Sequence, residues 1–545
     1  MKWRSLSEAS SALIRRLAGD SSSWLGRRGK MVRSLQELGS LGEPAAISAI
    51  SYYHYDDDAA VAQEAAVVVD ALIARVSPEL LPALDHRIRA ESYYGFQSSR
   101  WRTAPIDLIK HFRAGPTYAS VLAVASSHAS GYVRQAAVEA LDREITSGVE
   151  IPFLLLRLDD WVSAVRQAAE QAVARRLTDA HRQPYLKVLP LVAQLRSRLR
   201  AGESAALARI EDLLRGDVKA LVNNALVCES PRARRFGLSL AFEVLDRGKV
   251  DAQDDVLERI IDSNDPAPRL QLVSWLAVAK TAPDLQQRLL PRLLGDRSVA
   301  VRRIALAWCA AHESRNHQAT LRAALLDQSG LIRSIAQFHL PKLEAIDLRT
   351  FYREALRESD RRHLKPALGG LGETGRPTDA DLVVPLLDDP EPGIRRAALA
   401  ALAKLALEPY FEIFVQALQS SSPGISRQAR IGLECHASLI GADRLASIFA
   451  DTPYPHVRRQ TLCLINRLSK WQKLPLLIEI FGGAESSTRE AAENFLQSWL
   501  WNYNRTHNIQ PTEAEIARLR RALDAVGLKL EGQLGIELGA IAKSL

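Results

Sequence analysis

Asp381-Leu382-Val383-Val384-Pro385-Leu386-Leu387-Asp388-Asp389-Pro390-Glu391-Pro392-Gly393-Ile394-Arg395-Arg396-Ala397-Ala398-Leu399-Ala400-Ala401-Leu402 reads as two helices and the corner between them. Before Asp388 the apolar residues fall three and four apart, the spacing of one helical face, here helix A. Asp389-Pro390-Glu391-Pro392-Gly393 then breaks the chain, because such residues favour turns over a continued helix. A second apolar stripe with small alanines follows, helix B. One such hairpin cannot bury either stripe by itself.

The hairpin recurs. Leu290, Leu294, Asp296, Val301, Arg302 and Ala305 stand at the offsets of Leu154, Leu158, Asp160, Val165, Arg166 and Ala169, and Leu321, Leu325, Asp327, Ile332, Arg333 and Ala336 repeat them. The arginine position of helix B continues through Arg134, Arg234, Arg269, Arg395, Arg427, Arg458 and Arg489, with Leu364 filling it once; most steps are 31 to 35 residues. Repeats of this length stack to bury a shared core. The expected fold is therefore all-α, an α-solenoid of stacked antiparallel helix hairpins. Residues 1–30 read as a basic helical cap and 31–500 as the array, about fifteen units. Residues 501–545 read as a second helical cap, with a helix starting at Thr512-Glu513-Ala514-Glu515 and stopping at Gly527. The period weakens around 65–125 and 190–230. Prolines within the A segments (Pro152, Pro291, Pro385, Pro475) are expected to start or kink those helices.

Leu368-Gly369-Gly370-Leu371-Gly372-Glu373, leading into the stretch quoted above, and its echo Leu38-Gly39-Ser40-Leu41-Gly42-Glu43-Pro44-Ala45-Ala46-Ile47 resemble the HEAT-repeat superfamily, particularly the short HEAT-like repeats of the bilin-lyase type. The resemblance implies a right-handed superhelix. It also implies that the Asp six residues before the repeated Arg takes part with it in a ladder between repeats. It carries no chromophore chemistry, since function lives in sites rather than folds.

At 545 residues the chain exceeds what one core organises. Its 47% hydrophobic and 25% charged residues exclude wholesale disorder, and 29 Gly with 25 Pro exclude a collagen-like chain. No apolar run reaches the ~20 residues of a membrane span. Four cysteines without a CxxC pair suit a reducing compartment, and a cytoplasmic location is expected. Residues 1–35 and 181–235 each carry a net +6 of a total of +8, so the remainder is slightly acidic. The repeated arginine therefore reads as structural, not as a phosphate contact. A single His312-Glu313 falls short of the several His-Glu pairs of deoxyhypusine hydroxylase. Cys309-x-x-His312 and Cys435-His436 lack the four ligands that zinc takes, and phosphate-loop and nucleophile-elbow motifs are missing. No catalytic residue, metal or cofactor is expected.

Tyr52-Tyr53-His54-Tyr55-Asp56-Asp57-Asp58 and Tyr93-Tyr94-Gly95-Phe96-Gln97 with Trp101 concentrate aromatics at what read as A-to-B turns of adjacent repeats. Tyr52, Tyr53, Tyr55, Asp56, Asp57, Tyr93, Tyr94, Phe96 and Trp101 are the candidate edge for another protein or peptide, exposed rings being good anchors and the acids attracting a basic partner. The competing reading is that the rings fill gaps between irregular repeats and the acids cap helix B. Trp161 and Tyr132 form a second candidate patch. The leading function is a non-catalytic scaffold or adaptor that binds protein through its concave surface or this edge. The alternative is a nucleic-acid binder, such as a DNA-repair protein, using residues 1–35 and 181–235, with Arg196, Arg198, Arg200, Arg232 and Arg235 on one wall. A third reading has Trp3, Trp24 and the nearby arginines touching anionic lipid.

Overall fold

The computed structural model describes residues 5–20, 26–94, 106–113, 115–198, 204–247, 253–278, 283–311, 315–358, 360–483, 486–503, 510–527 and 533–545. Most of them are helical and the rest form turns, bends and irregular links, with no β-strand among the described residues. None of the described helices is long and apolar enough to cross a membrane. The chain falls into two compact units, Met1–Ile304 and Ala305–Leu545.

In each unit the hairpins follow the period. Proline opens B helices at Pro231, Pro266, Pro392, Pro423 and Pro455, where its missing N–H is no loss and its fixed φ suits the first turn. Within helix A its effect is different: around Pro385 the segment passes from α-helix Ala380–Val383 into a 3-10 stretch, Val384–Asp388.

The repeated arginine bonds twice. In its own repeat it donates to the carbonyl six residues earlier, as Arg166 does to Asp160 O (2.7 Å), Arg302 to Asp296 O (2.7 Å), Arg333 to Asp327 O (2.9 Å) and Arg395 to Asp389 O (2.7 Å). The turn aspartate's carboxylate is left free to accept the N–H two residues on, as Asp160 does from Val162 (3.0 Å). It also receives the arginine of the preceding repeat: Arg134 donates to both oxygens of Asp160 (2.8 and 2.7 Å), and Arg269 to Asp296 (2.6 Å). The ladder expected from the resemblance thus runs forward to the next turn from Arg134, Arg234 and Arg269, while Arg333 turns to Glu373 instead. One register differs from the sequence reading. Ser426, fully buried and donating to Leu418 O at 2.6 Å, occupies the arginine position, and Arg427 lies outside it in solvent.

In the first unit the period breaks after Ala59–Ile73. That helix packs directly on Tyr118–Ala125, while the intervening chain makes an excursion. Its helix Leu81–Tyr94 lies against Ile47–Ile50 and Ile151–Arg157, across the A helices of other repeats. Beside this excursion His54 is fully buried, its ring 6.0 Å from Phe112. Burial, reinforced by the nearby charge of His111 against a smaller backbone contribution, pushes its pKa down to about 3. The folded form therefore stays neutral while the unfolded chain takes up a proton near pH 6.5. Stability should be lost as pH falls from about 6.5 towards 3. Replacing His54 by leucine is expected to flatten that part of a stability-versus-pH curve measured by urea denaturation.

In the second unit the helices Arg361–Thr374, Pro392–Leu405, Pro423–Leu433 and Pro455–Ile465 pack side by side in series. Gly372 makes the first approach close: a Cβ there would stand 2.9 Å from Ala401 Cα. The end of the unit follows the sequence reading. Thr512 and Glu515 form a reciprocal capping box on Glu513–Val526, and Gly527 terminates it. That helix packs on Lys470–Gly482, while Trp471, Trp499 and Tyr503 cluster over Lys470.

Candidate partner-binding site

Of the aromatic turn, Tyr53 and Tyr55 are buried, Tyr52 half-buried and Asp57 exposed. The two buried rings, expected at an exposed edge, instead fill the core beneath Ala59–Ile73, and burial pushes the Tyr55 hydroxyl pKa up. The acids also have structural work. Asp56 accepts from Arg27 at 2.5 Å, and Asp58 caps Ala59–Ile73 by accepting from Ala60 N–H. Tyr93 and Tyr94 end the helix Leu81–Tyr94 and do not stand in a turn; Phe96 and Trp101 lie outside the described residues.

The second patch is where exposed aromatic surface meets unusual chemistry. Tyr132, in the first turn of Gly131–Glu144, is 89% exposed, and Trp161, in the turn before Ser163–Arg175, is 57% exposed. Trp161 follows Asp160 directly, so the ladder fixes its backbone. The Arg134 and Arg89 guanidinium carbons both lie 4.5 Å from the centre of its ring, within the range of cation–π attraction. Behind the indole sits a cluster of three arginines and two aspartates. Arg134 is bidentate on Asp160; Arg157 bonds Asp85 and lies 3.4 Å from Asp160; Arg89 lies 3.0 Å from Asp85 and 3.4 Å from Asp160. Asp85 and Arg89 come from the excursion helix, more than seventy residues away in sequence. Arg157 is almost fully buried and donates to Ser126 O at 2.7 Å. Burial works to raise the Asp160 pKa, but the Arg134 hydrogen bonds and the Arg157 charge outweigh it and hold the carboxyl below its ordinary range. Burial and the Arg157 charge draw Arg89 down, against the pull of Asp85. The sequence showed Trp161 and Tyr132 as turn residues, but the residues that brace the indole follow no local pattern and could not be found in it.

Elsewhere the polar surface largely satisfies itself. An open cleft of about 850 Å³ beside Asp70, Tyr118 and Val149 contains the Arg113–Glu144 pair at 2.6 Å and an Asp70–Ser120 hydrogen bond. In the basic stretch, Arg196 pairs with Glu211 (3.3 Å) and Arg198 stands 4.0 Å from Asp159, Arg232 and Arg235 are exposed with no ion-pair partner among the described residues, and Arg200 lies outside the described residues. Among the described residues no three His, Cys, Asp or Glu side chains gather as metal ligands would.

Residues 350–434 match a family described as HEAT repeats. No curated protein matches the sequence. Two solved structures are similar in backbone: the crystal structure of importin beta in an ammonium sulfate condition (12% identity, TM-score 0.41, covering 97% of this chain and 84% of that one) and that of the S. pombe condensin Cnd3-Cnd2 subcomplex (13% identity, TM-score 0.35, 97% and 87%). Residues 350–434 are thus a HEAT-repeat segment, and hairpins of the same kind recur through both units.

Proposed function

We propose that this chain is a non-catalytic scaffold that binds another protein, with Trp161 as its anchor and Tyr132 beside it. The supporting observation is the exposed indole held rigid by two guanidiniums. A large ring that loses little freedom on contact gains most of its burial energy on binding, which is why tryptophan, tyrosine and arginine dominate interface energetics. Tyr93 and Tyr94 follow Arg89 by one turn of the excursion helix; Tyr52 and Asp57 are the accessible members of the first aromatic turn. The unbridged Cys228, Cys309, Cys435 and Cys463 suit a reducing interior, so the site of action is proposed to be the cytoplasm. Of the arginines the nucleic-acid reading needs, Arg196 and Arg198 face carboxylates, whereas Arg232 and Arg235 are exposed without an ion-pair partner among the described residues, so that reading keeps only two free cations on Pro231–Asp246.

Tagged chain purified from its own cells should carry a partner that Trp161→Ala weakens by about thirtyfold or more, the ~2 kcal/mol of an interface anchor. Tyr132→Ala should act in the same direction, with unfolding midpoints checked for both variants. An unchanged partner set in both variants would remove this reading.

A further inference from the structure

The two helix layers of the second unit differ in charge. Five consecutive B helices, Gly330–Leu343, Arg361–Thr374, Pro392–Leu405, Pro423–Leu433 and Pro455–Ile465, hold twelve Lys or Arg residues and one carboxylate, Glu373. The A segments interleaved with them, from Leu348–Arg357 to Ala442–Asp451, hold four cations and six acids. Some of the B-helix cations belong to the ladder or to local pairs, such as Arg333 with Glu373 (2.5 Å) and Lys365 with Glu391 (2.9 Å). Three do not. Arg396, Arg427 and Arg459 are each the fifth residue of their helix, all are exposed, and none has an ion-pair partner among the described residues.

Their helices pack in series, so the three arginines form one column. Arg396 and Lys365 lean toward the following repeat. The Arg396 guanidinium comes within 3.8 Å of where a Cβ on Gly424 would stand, and the Lys365 ammonium within 3.5 Å of the same point on Gly393. Both glycines are the second residue of the next B helix, so the cations lie over helix starts that already present partial positive charge. At Lys365 the Glu391 carboxylate offsets the cost of that arrangement, whereas Arg396 has no such partner, and a bound anion would supply one.

We infer that this column binds an acidic, extended polypeptide segment of a partner protein. This inference extends the scaffold reading to a second surface. Charge complementarity selects an acidic ligand. Pro392–Leu405, Pro423–Leu433 and Pro455–Ile465 contain no Phe, Tyr or Trp, and Tyr454, the N-cap of the third, is already stacked on His456, so the face is poor in the stacking platforms that single-stranded nucleic acid uses. Between the arginines it offers small and aliphatic surface instead, including the exposed Ile431, against which short side chains can lie. With neighbouring helices about 10 Å apart, the column from Lys365 to Arg459 spans roughly 30 Å, about nine residues of extended chain.

The test is fluorescence anisotropy with a labelled peptide of alternating Glu and Ala, roughly twelve residues long, a Lys-Ala counterpart, and single-stranded oligothymidine of equal charge. Wild-type protein should bind the Glu-Ala peptide, more weakly as salt rises, and should ignore the Lys-Ala peptide. Combined Arg396→Ala, Arg427→Ala and Arg459→Ala should weaken binding by about tenfold, the summed effect of three exposed ion pairs; these surface changes should leave the unfolding midpoint in place. Trp161→Ala should bind the peptide as wild type does. No binding by wild type, undiminished binding by the triple variant, or tighter binding of oligothymidine would each overturn the inference. Those failures leave the Trp161 partner-loss experiment untouched, so the two readings can fall separately.

Discussion

Arg134→Ala is expected to destabilise the first unit by about 3–5 kcal/mol, the cost of removing one partner from a buried charge pair. The substitution strips Asp160 of two hydrogen bonds and releases the His128 and Ala129 carbonyls, which Arg134 Nη1 holds at 3.0 and 2.8 Å. It also removes one of the two guanidiniums lying on Trp161. Urea denaturation followed by hydrogen exchange in the turn around Asp160 would measure the loss. A double change, Arg134→Met with Asp160→Leu, should recover part of it, because apolar side chains replace both charges together. Arg395→Ala supplies the contrast. Its guanidinium holds the carbonyls of Asp389 and Pro390 at 2.7 and 3.1 Å, and Ser420 stands where the next turn aspartate would be; its loss should cost only about 1–2 kcal/mol. Equal effects from the two substitutions would mean that the carbonyl bonds, and not the pair between repeats, carry the energy. Asp160 also makes the first unit acid-sensitive. Its folded pKa lies below the unfolded value, so its contribution is present above about pH 4 and is lost as pH falls further; Arg134→Ala should shrink that dependence.

Gly370→Ala is expected to cost the second unit about 3 kcal/mol, the upper end of overpacking. A Cβ on Gly370 would stand 2.2 Å from both Cε1 and Cζ of Tyr352. The ring cannot easily yield. It is fully buried, its hydroxyl donates to Leu325 O at 3.1 Å and accepts from Gln337 Nε2 at 3.1 Å, so moving it releases both bonds. In the Tyr352→Leu background the same glycine substitution should cost less than 1 kcal/mol, and a double-mutant cycle would report the coupling. Additive effects would show that the strain lies in the backbone and not against the ring.

The sequence alone determined the repeating unit. Three-and-four spacing, turn prolines and the recurring Arg are local and are copied many times, so the hairpins, the start of Glu513–Val526 at Thr512 and its stop at Gly527 were legible before any coordinates. Tertiary structure decided three other matters. Ser426 rather than Arg427 fills the ladder position because neighbouring helical residues differ by about 100° in direction, and only packing against helix A shows which one faces inward. The tyrosines at 53 and 55 are interior because their turn packs beneath Ala59–Ile73, and Trp161 is braced because Leu81–Tyr94 leaves the period and brings Arg89 onto a turn more than seventy residues distant, which no local pattern encodes. Asp160, Asp265 and Asp296 each answer the arginine of the repeat before, not their own, and in the repeats of Asp160 and Asp296 the repeat's own arginine is already turned onto a backbone carbonyl. Periodicity reports what a segment buries; which neighbour it is buried against is settled only when the hairpins meet.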